Sequence, residues 1–265
     1  MQVITLLYHD VVPEGCPEAS GFLIPGANRY KLTETEFQRH LDAIARASAR
    51  PPWNVMNVLG QHQGPIPLLI TFDDGGLSAY SPIADMLGER GWIGHFLITT
   101  NFIGSAGFVT AAQIRELRRQ GHVIGSHSCS HPERMSACSA KQLREEWRRS
   151  TAVLAEILGE SVTVASIPAG YYSEEVARAA DECGISALFS SEPQTRAWMI
   201  GGCTVFGRYC AFAGTPPGWA AGIVGGNPMT RLSAYAAWNG KKILKNAAGG
   251  AWLRFRAGVL RSGSR

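Results

Sequence analysis

No stretch of this 265-residue chain stays apolar long enough to cross a bilayer as a helix. No Cys-x-x-Cys pair occurs among the six cysteines, Cys16, Cys129, Cys138, Cys183, Cys203 and Cys210. Reduced thiols are therefore expected rather than a disulfide framework. The opening residues, MQVITLLYHDVVPEG, lack a basic n-region and meet polar side chains within eight positions. They read as a buried strand rather than a secretion signal, which predicts a cytoplasmic protein. Acidic residues are missing from 229–265, where Arg231, Lys241, Lys242, Lys245, Arg254, Arg256, Arg261 and Arg265 give a net charge of +8. Residues 1–228 carry 17 basic against 21 acidic side chains, a net of −4, so body and tail are electrostatically different objects. No nucleic-acid-binding motif accompanies the tail's charge, and no nucleic-acid partner is expected.

What the chain does contain is an alternation of short apolar runs with amphipathic stretches. VITLLYH, PLLITFDD, IGHFLITT, HVIGSH, VTVASI and ISALFSS read as strands, and the continuous apolar character of PLLITFDD is that of a strand buried on both faces. Between them lie helical patterns, such as TETEFQRHLDAIARASA, with Phe37, Leu41, Ile44 and Ala45 on one face, and SAKQLREEWRRSTAVLAEILG, stopped by Gly159. This order predicts parallel strands joined by crossover helices. The acidic and histidine residues fall just after strands, where (β/α) barrels keep their chemistry, so a barrel fits better than an open sheet. After about Gly214 the alternation ends in a glycine-interrupted, basic and helical segment. The expected division is 1–213 for the barrel and 214–265 for the extension.

TFDDGG ends one strand with Asp73 and Asp74, and its glycines permit a sharp turn that would aim both carboxylates into one pocket. Two neighbouring carboxylates resist joint ionisation unless a cation stands with them. An Asp-Gly turn after a strand would look the same. GSHSCSHP places His127 and His131 four apart after another strand, with Pro132 disfavouring a helix there. A pair of histidines packed at a strand end is the other reading. Ser128 stands where a zincin helix carries its glutamate, which excludes that mechanism. Two imidazoles and one carboxylate supply three ligands and leave positions open, the pattern of a hydrolytic rather than a structural metal site.

TFDDG, then HSxxH followed by proline, then PxGxYS together resemble the polysaccharide deacetylases of the NodB-homology, carbohydrate esterase 4 family, over roughly residues 3–212. The resemblance implies a distorted (β/α) barrel and the removal of an N-acetyl group from an amino sugar. It implies Asp73 as catalytic base and Asp74, His127 and His131 as ligands of one divalent metal, with Zn expected and Co, Ni, Mn or Fe compatible with the donors. The backbone near Tyr171, after Pro168 and Gly170, is the candidate oxyanion donor. The family's late Leu-x-His source of a general acid is absent, because no histidine follows His131. LLYHDVV resembles the early YHxx element of one branch, which makes His9 the candidate acid, with Asp10 tuning it or capping the turn. The family's usual arginine two residues before Pro168 is replaced by Ser166, and Arg208 is a candidate substitute. Glu192 and Trp198 are the nearest counterparts of the family's later Asp-x-x-x-Trp element.

His95, inside a strand, reads as a core histidine, Cys129 as packing that points away from the histidine pair, and His62 has no inferred role. Tyr171 and Tyr172 suit either a sugar platform or the core. The basic tail, with Trp238, Trp252, Leu253 and Phe255, reads either as an amphipathic helix on an anionic membrane surface or as a helix packed on the barrel. The function expected is a metal-dependent N-deacetylase of a lipid- or nucleotide-linked amino-sugar precursor in polysaccharide assembly, held peripherally at the inner membrane face. The alternatives are hydrolysis of a non-sugar linear amide and a catalytically silent glycan-binding relative.

Overall fold

Three helices open on the same device. Thr33, Thr110 and Ser139 each accept a hydrogen bond from the backbone N–H three residues on, while Glu36, Gln113 and Gln142 reach back to the cap's own N–H. The computed structural model that shows this describes residues 1–24, 26–60 and 64–247, with side chains described to residue 240. His62, and the tail residues Trp252, Leu253, Phe255, Arg254, Arg256, Arg261 and Arg265, lie outside the described residues, as do the side chains of Lys241, Lys242 and Lys245.

The elements in order are β1 (Ile4–Tyr8), β2 (Asp10–Val12), β3 (Lys31–Thr33), α1 (Glu34–Ala47), α2 (Val55–Leu59), β4 (Leu68–Phe72), α3 (Ile83–Gly88), β5 (His95–Ile98), α4 (Ala111–Arg119) and β6 (Val123–Ser126). Then follow α5 (Ala140–Leu158), β7 (Val164–Ser166), α6 (Glu174–Glu182), β8 (Ala187–Phe189), β9 (Trp198–Ile200), β10 (Cys203–Phe206), β11 (Tyr209–Cys210), α7 (Pro217–Val224) and α8 (Pro228–Ala247). Nine strands form one sheet in the order β11-β1-β4-β5-β6-β7-β8-β10-β9, parallel throughout except for the β9–β10 pair. β2 and β3 pair separately beside it.

The sheet is a curled half-barrel, and one segment leads from the strand next to one edge to the strand at the other. β10 pairs with β8, β11 pairs with β1, and only Gly207 and Arg208 stand between β10 and β11. The expected barrel is thus present in distorted form, with Cys203–Cys210 as its seam. Strand parity sorts the side chains. Leu68, Ile70 and Phe72 face outward into a core shared with Phe37, Leu41 and Ile44 of α1. Leu69, Leu97, Val164, Phe189 and Phe206 face inward, and Val55 and Val58 of α2 close the floor beneath them. His95 is a satisfied core histidine there: its Nδ1 bonds Ile70 O at 2.9 Å and its Nε2 accepts from Val55 N at 3.0 Å. Ala220 and Ile223 of α7 are buried in the same outer core as Phe37, so residues past 214 contribute to the barrel's packing. No helix among the described residues is long and apolar enough to cross a membrane.

Candidate active site

Inward parity along β4 runs Leu69, Thr71, Asp73, which brings the first carboxylate into the barrel mouth. The backbone then turns left-handed at Asp74 (φ 75°) and at Gly75 (φ 81°), so the second carboxylate enters the same mouth. A Cβ at Gly75 would stand 3.1 Å from the Ile98 side chain, a fit that favours glycine. Asp73, Asp74 and His127 are all buried.

His127 and His131 do not share a helix. Ser128 (φ 64°) and His131 (φ 56°) are left-handed, and the loop is held from outside. Glu146 of α5 accepts from Cys129 N at 2.9 Å, Ser130 N at 2.8 Å and Ser130 Oγ at 2.6 Å, while His131 N donates to Ser128 Oγ at 3.1 Å. This brings Nε2 of His127 to 3.3 Å and Nε2 of His131 to 3.5 Å from Asp74 Oδ1. That carboxylate oxygen is buried and has no hydrogen-bond partner among the described residues. One oxygen and two ring nitrogens converge within 4.8 Å of one another. Cys129 turns its thiol away, to Asn101 Oδ1 at 3.1 Å.

The residues therefore fit a divalent cation. Ser166 Oγ donates to Asp73 Oδ1 at 3.0 Å and lies 2.6 Å from His127 Nδ1. The hydroxyl proton is committed to the carboxylate, so His127 carries its proton on Nδ1 and presents a lone pair on Nε2 toward Asp74. A lone pair facing an orphaned carboxylate oxygen is the arrangement a metal stabilises. Burial lowers His131, and the Asp74 carboxylate more than offsets this and raises it.

Asp73 has different neighbours. Arg208, fully buried, grips it with both arms, Nη1 to Oδ1 at 2.7 Å and Nη2 to Oδ2 at 2.7 Å. The same guanidinium donates from Nε to Ser190 O at 2.8 Å and from Nη1 to Thr71 Oγ1 at 3.2 Å. Burial would raise the Asp73 carboxyl, and Arg208 with His127 overrides it, holding it below the ordinary value. Arg208, weighed as a substitute for the missing arginine, thus reaches Asp73 from the barrel seam. Ser166 cannot form an ion pair, but it ties Asp73 to His127, a role the sequence did not signal. Glu146 was missed as well, hidden in the charge-rich run REEWRR.

His9 follows β1 on the same rim. Its ring packs on Tyr30 at 4.6 Å, its Nδ1 is buried without a partner among the described residues, and burial lowers its pKa against the pull of Asp74 and Asp73. Asp10 neither caps a turn nor pairs with His9. Its Oδ1 accepts from Ser20 Oγ at 2.5 Å and Ser78 Oγ at 2.8 Å, which ties the 13–30 loop to the segment after β4. Pro168, Gly170 and Tyr171 form the loop after β7, with Ala169 left-handed (φ 55°) and the Arg134 guanidinium 5.3 Å from the Tyr171 ring centre. Trp198 donates to Tyr172 OH at 3.0 Å in a separate core cluster, and Glu192 accepts from Trp238 at 3.2 Å. These bonds turn Glu192 toward α8 and Trp198 into packing.

Comparison with known proteins agrees with this geometry. A family model described as polysaccharide deacetylase matches residues 60–188. The putative polysaccharide deacetylase YxkH of Bacillus subtilis is 26% identical over 174 residues, covering 64% of this chain and 62% of that protein. The chain spans about half to three fifths of the length of the curated relatives it matches. The Streptococcus pyogenes deacetylase PplD shares the fold with a TM-score of 0.68 at 17% identity, over 82% of this chain and 96% of that one. IcaB from Ammonifex degensii does so with a TM-score of 0.68 at 22% identity, over 84% and 97%.

Proposed function

We propose, from the premise that this chain belongs to the polysaccharide deacetylase family over residues 60–188, that it is a metal-dependent hydrolase removing an acetyl group from an N-acetylated amino sugar. The observation that carries the reading is a buried carboxylate clamped by Arg208, directly beside a two-histidine, one-carboxylate cluster whose shared oxygen is orphaned. Asp74, His127 and His131 would hold the ion, and their two nitrogens and one oxygen suit zinc. Bound there, it would supply Lewis acidity to the amide carbonyl and acidify water.

The chain's own residues do the remaining work. Asp73 accepts a proton from the attacking water on one carboxylate oxygen, while Arg208 and Ser166 fix its orientation and keep it ionised at neutral pH. The loop at Pro168–Tyr171 offers a backbone N–H to the developing oxyanion. His9 delivers a proton to the departing amine nitrogen, so amide and water leave as acetate and amine. The missing motif arginine, which favoured a silent glycan-binding relative, is no loss when Arg208 supplies the same ion pair.

The carrier we read as lipid- or nucleotide-linked, and the setting as the cytoplasmic face of a membrane. Met229, Leu232 and Tyr235 stand exposed on α8, leading into a tail of basic residues suited to an anionic leaflet. The test is acetate release by the purified chain from a panel of N-acetyl sugars, with metal content assayed alongside. Turnover in wild type and its loss in Asp73→Asn are expected. A metal-free protein whose Asp73→Asn variant keeps full activity would overturn the proposal. For His9→Ala, kcat should fall on the order of 10²-fold or more, the contribution of a general acid, with the basic limb of the pH–rate profile changed.

A further inference from the structure

A cavity of about 400 Å³ lies between the barrel seam and the two C-terminal helices. Phe212, Pro216, Trp219, Ala234 and Trp238 line it, together with Arg208. It lies close to the catalytic mouth. Arg208 belongs to both, Tyr30 packs at a tilt between His9 at 4.6 Å and Phe212 at 5.4 Å, and Trp238 lies where a Cβ on Gly170 would approach it to 3.0 Å.

Several polar groups on its wall are already hydrogen-bonded to the protein. The Arg208 guanidinium is committed to Asp73, Thr71 and Ser190. Thr215 Oγ1 accepts from Phe212 N at 2.9 Å, Ser233 Oγ donates to Thr230 O at 2.9 Å, and Trp238 Nε1 donates to Glu192. A polar ligand entering here would lose its hydrogen bonds to water and find few in return. A nucleotide's phosphates would find the wall's one guanidinium already spent. An alkyl chain would lose nothing and gain aromatic and proline faces. The opposite face of α8 carries exposed Met229, Leu232 and Tyr235, so the helix that roofs the cavity is apolar on its solvent side too.

We infer that this cavity is an acceptor site for the apolar aglycone of the substrate, so that the sugar sits over Asp73 and an alkyl or prenyl chain runs under α7 and α8. The inference rests on the deacetylase reading for the sugar, and it selects the lipid carrier over the nucleotide.

The test compares methyl and octyl N-acetyl-β-D-glucosaminide below the micellar concentration, by acetate release and by calorimetric binding to the full chain. The octyl compound should bind tighter and show a lower KM by roughly tenfold or more, the gain from burying about two methylenes. Ala234→Phe, which fills the cavity, should abolish that preference while still hydrolysing the methyl glycoside, and Ala237→Phe serves as a second plug if the first fails to fold. Equal affinity for both glycosides, or a chain-length preference that survives the plug, would overturn the inference. Release of acetate from neither compound, with the octyl preference in binding retained and lost in the plugged variant, would leave the cavity assignment standing and remove the deacetylase reading instead.

Discussion

Asp73 and Asp74 are neighbours in the chain and both are buried, yet their surroundings are opposite. Asp73 holds two bonds from Arg208 and one from Ser166, a setting that fixes both its charge and its angle. Asp74 points its Oδ1 at two imidazole nitrogens, with no hydrogen bond to satisfy it among the described residues. The first carboxylate is prepared to take a proton in a defined direction. The second is prepared for a cation. Identical chemistry one residue apart is divided into two roles by what packs against it, and the left-handed turn at Asp74 is what lets both share one mouth.

The contrast can be tested directly, and the largest effect should come from the carboxylates themselves. Asp73→Asn should lower kcat about 10²–10⁴-fold, the scale of a lost general base, with bound metal unchanged by elemental analysis. Asp74→Asn should lose metal and activity together. Equal metal loss in both variants would erase the distinction. Next comes Arg208→Met, which strands a buried carboxylate. Stability should fall by about 3–5 kcal/mol in urea unfolding, the cost of removing one partner of a buried pair, and activity should fall with it. A smaller effect is expected for Ser166→Ala, about tenfold to hundredfold in metal affinity or activity, because it orients His127 rather than binding the ion.

A separate, pH-dependent effect lies in the body of the barrel, where His95 and His122 are buried and held neutral, each with its pKa lowered from 6.5 to about 4. Burial is the leading cause for both. The unfolded chain binds more protons than the folded one between those values, so stability is full above about pH 6.5 and is lost as pH falls toward 4. The slope should approach about 1.4 kcal/mol per histidine per pH unit. Urea midpoints that do not move between pH 7 and pH 5 would contradict this.

Much of this was legible in the sequence because it is local. Apolar spacing marked α1, the Gly159 stop marked the end of α5, and the strands β1, β4, β5, β6, β7 and β8 fall within the runs predicted for them. Asp73, Asp74, His127 and His131 announced themselves by type and spacing, although the four-residue histidine spacing works through a Glu146-braced loop and not through a helical turn. What escaped was non-local. Ser166 looked like a deletion because only its replacement of an arginine was visible, and its two partners come from other strands. Arg208 could be named but not placed, since it lies 135 residues from Asp73 in the chain. The floor helix α2 is too short to show a period, and β2 and β3 make sense only as a pair brought together across the 13–30 loop.

The seam at Gly207–Arg208 has a consequence for synthesis. A ribosome releases both aspartates and both ligand histidines well before residue 208, and that nascent chain lacks the counter-ion of its base. The two residues between β10 and β11 include the one that grips Asp73, so docking of the seam and completion of the Asp73 ion pair are one event. Under the proposed deacetylase reading, the site stays unarmed until these strands have docked, and acetate release would report complete folding.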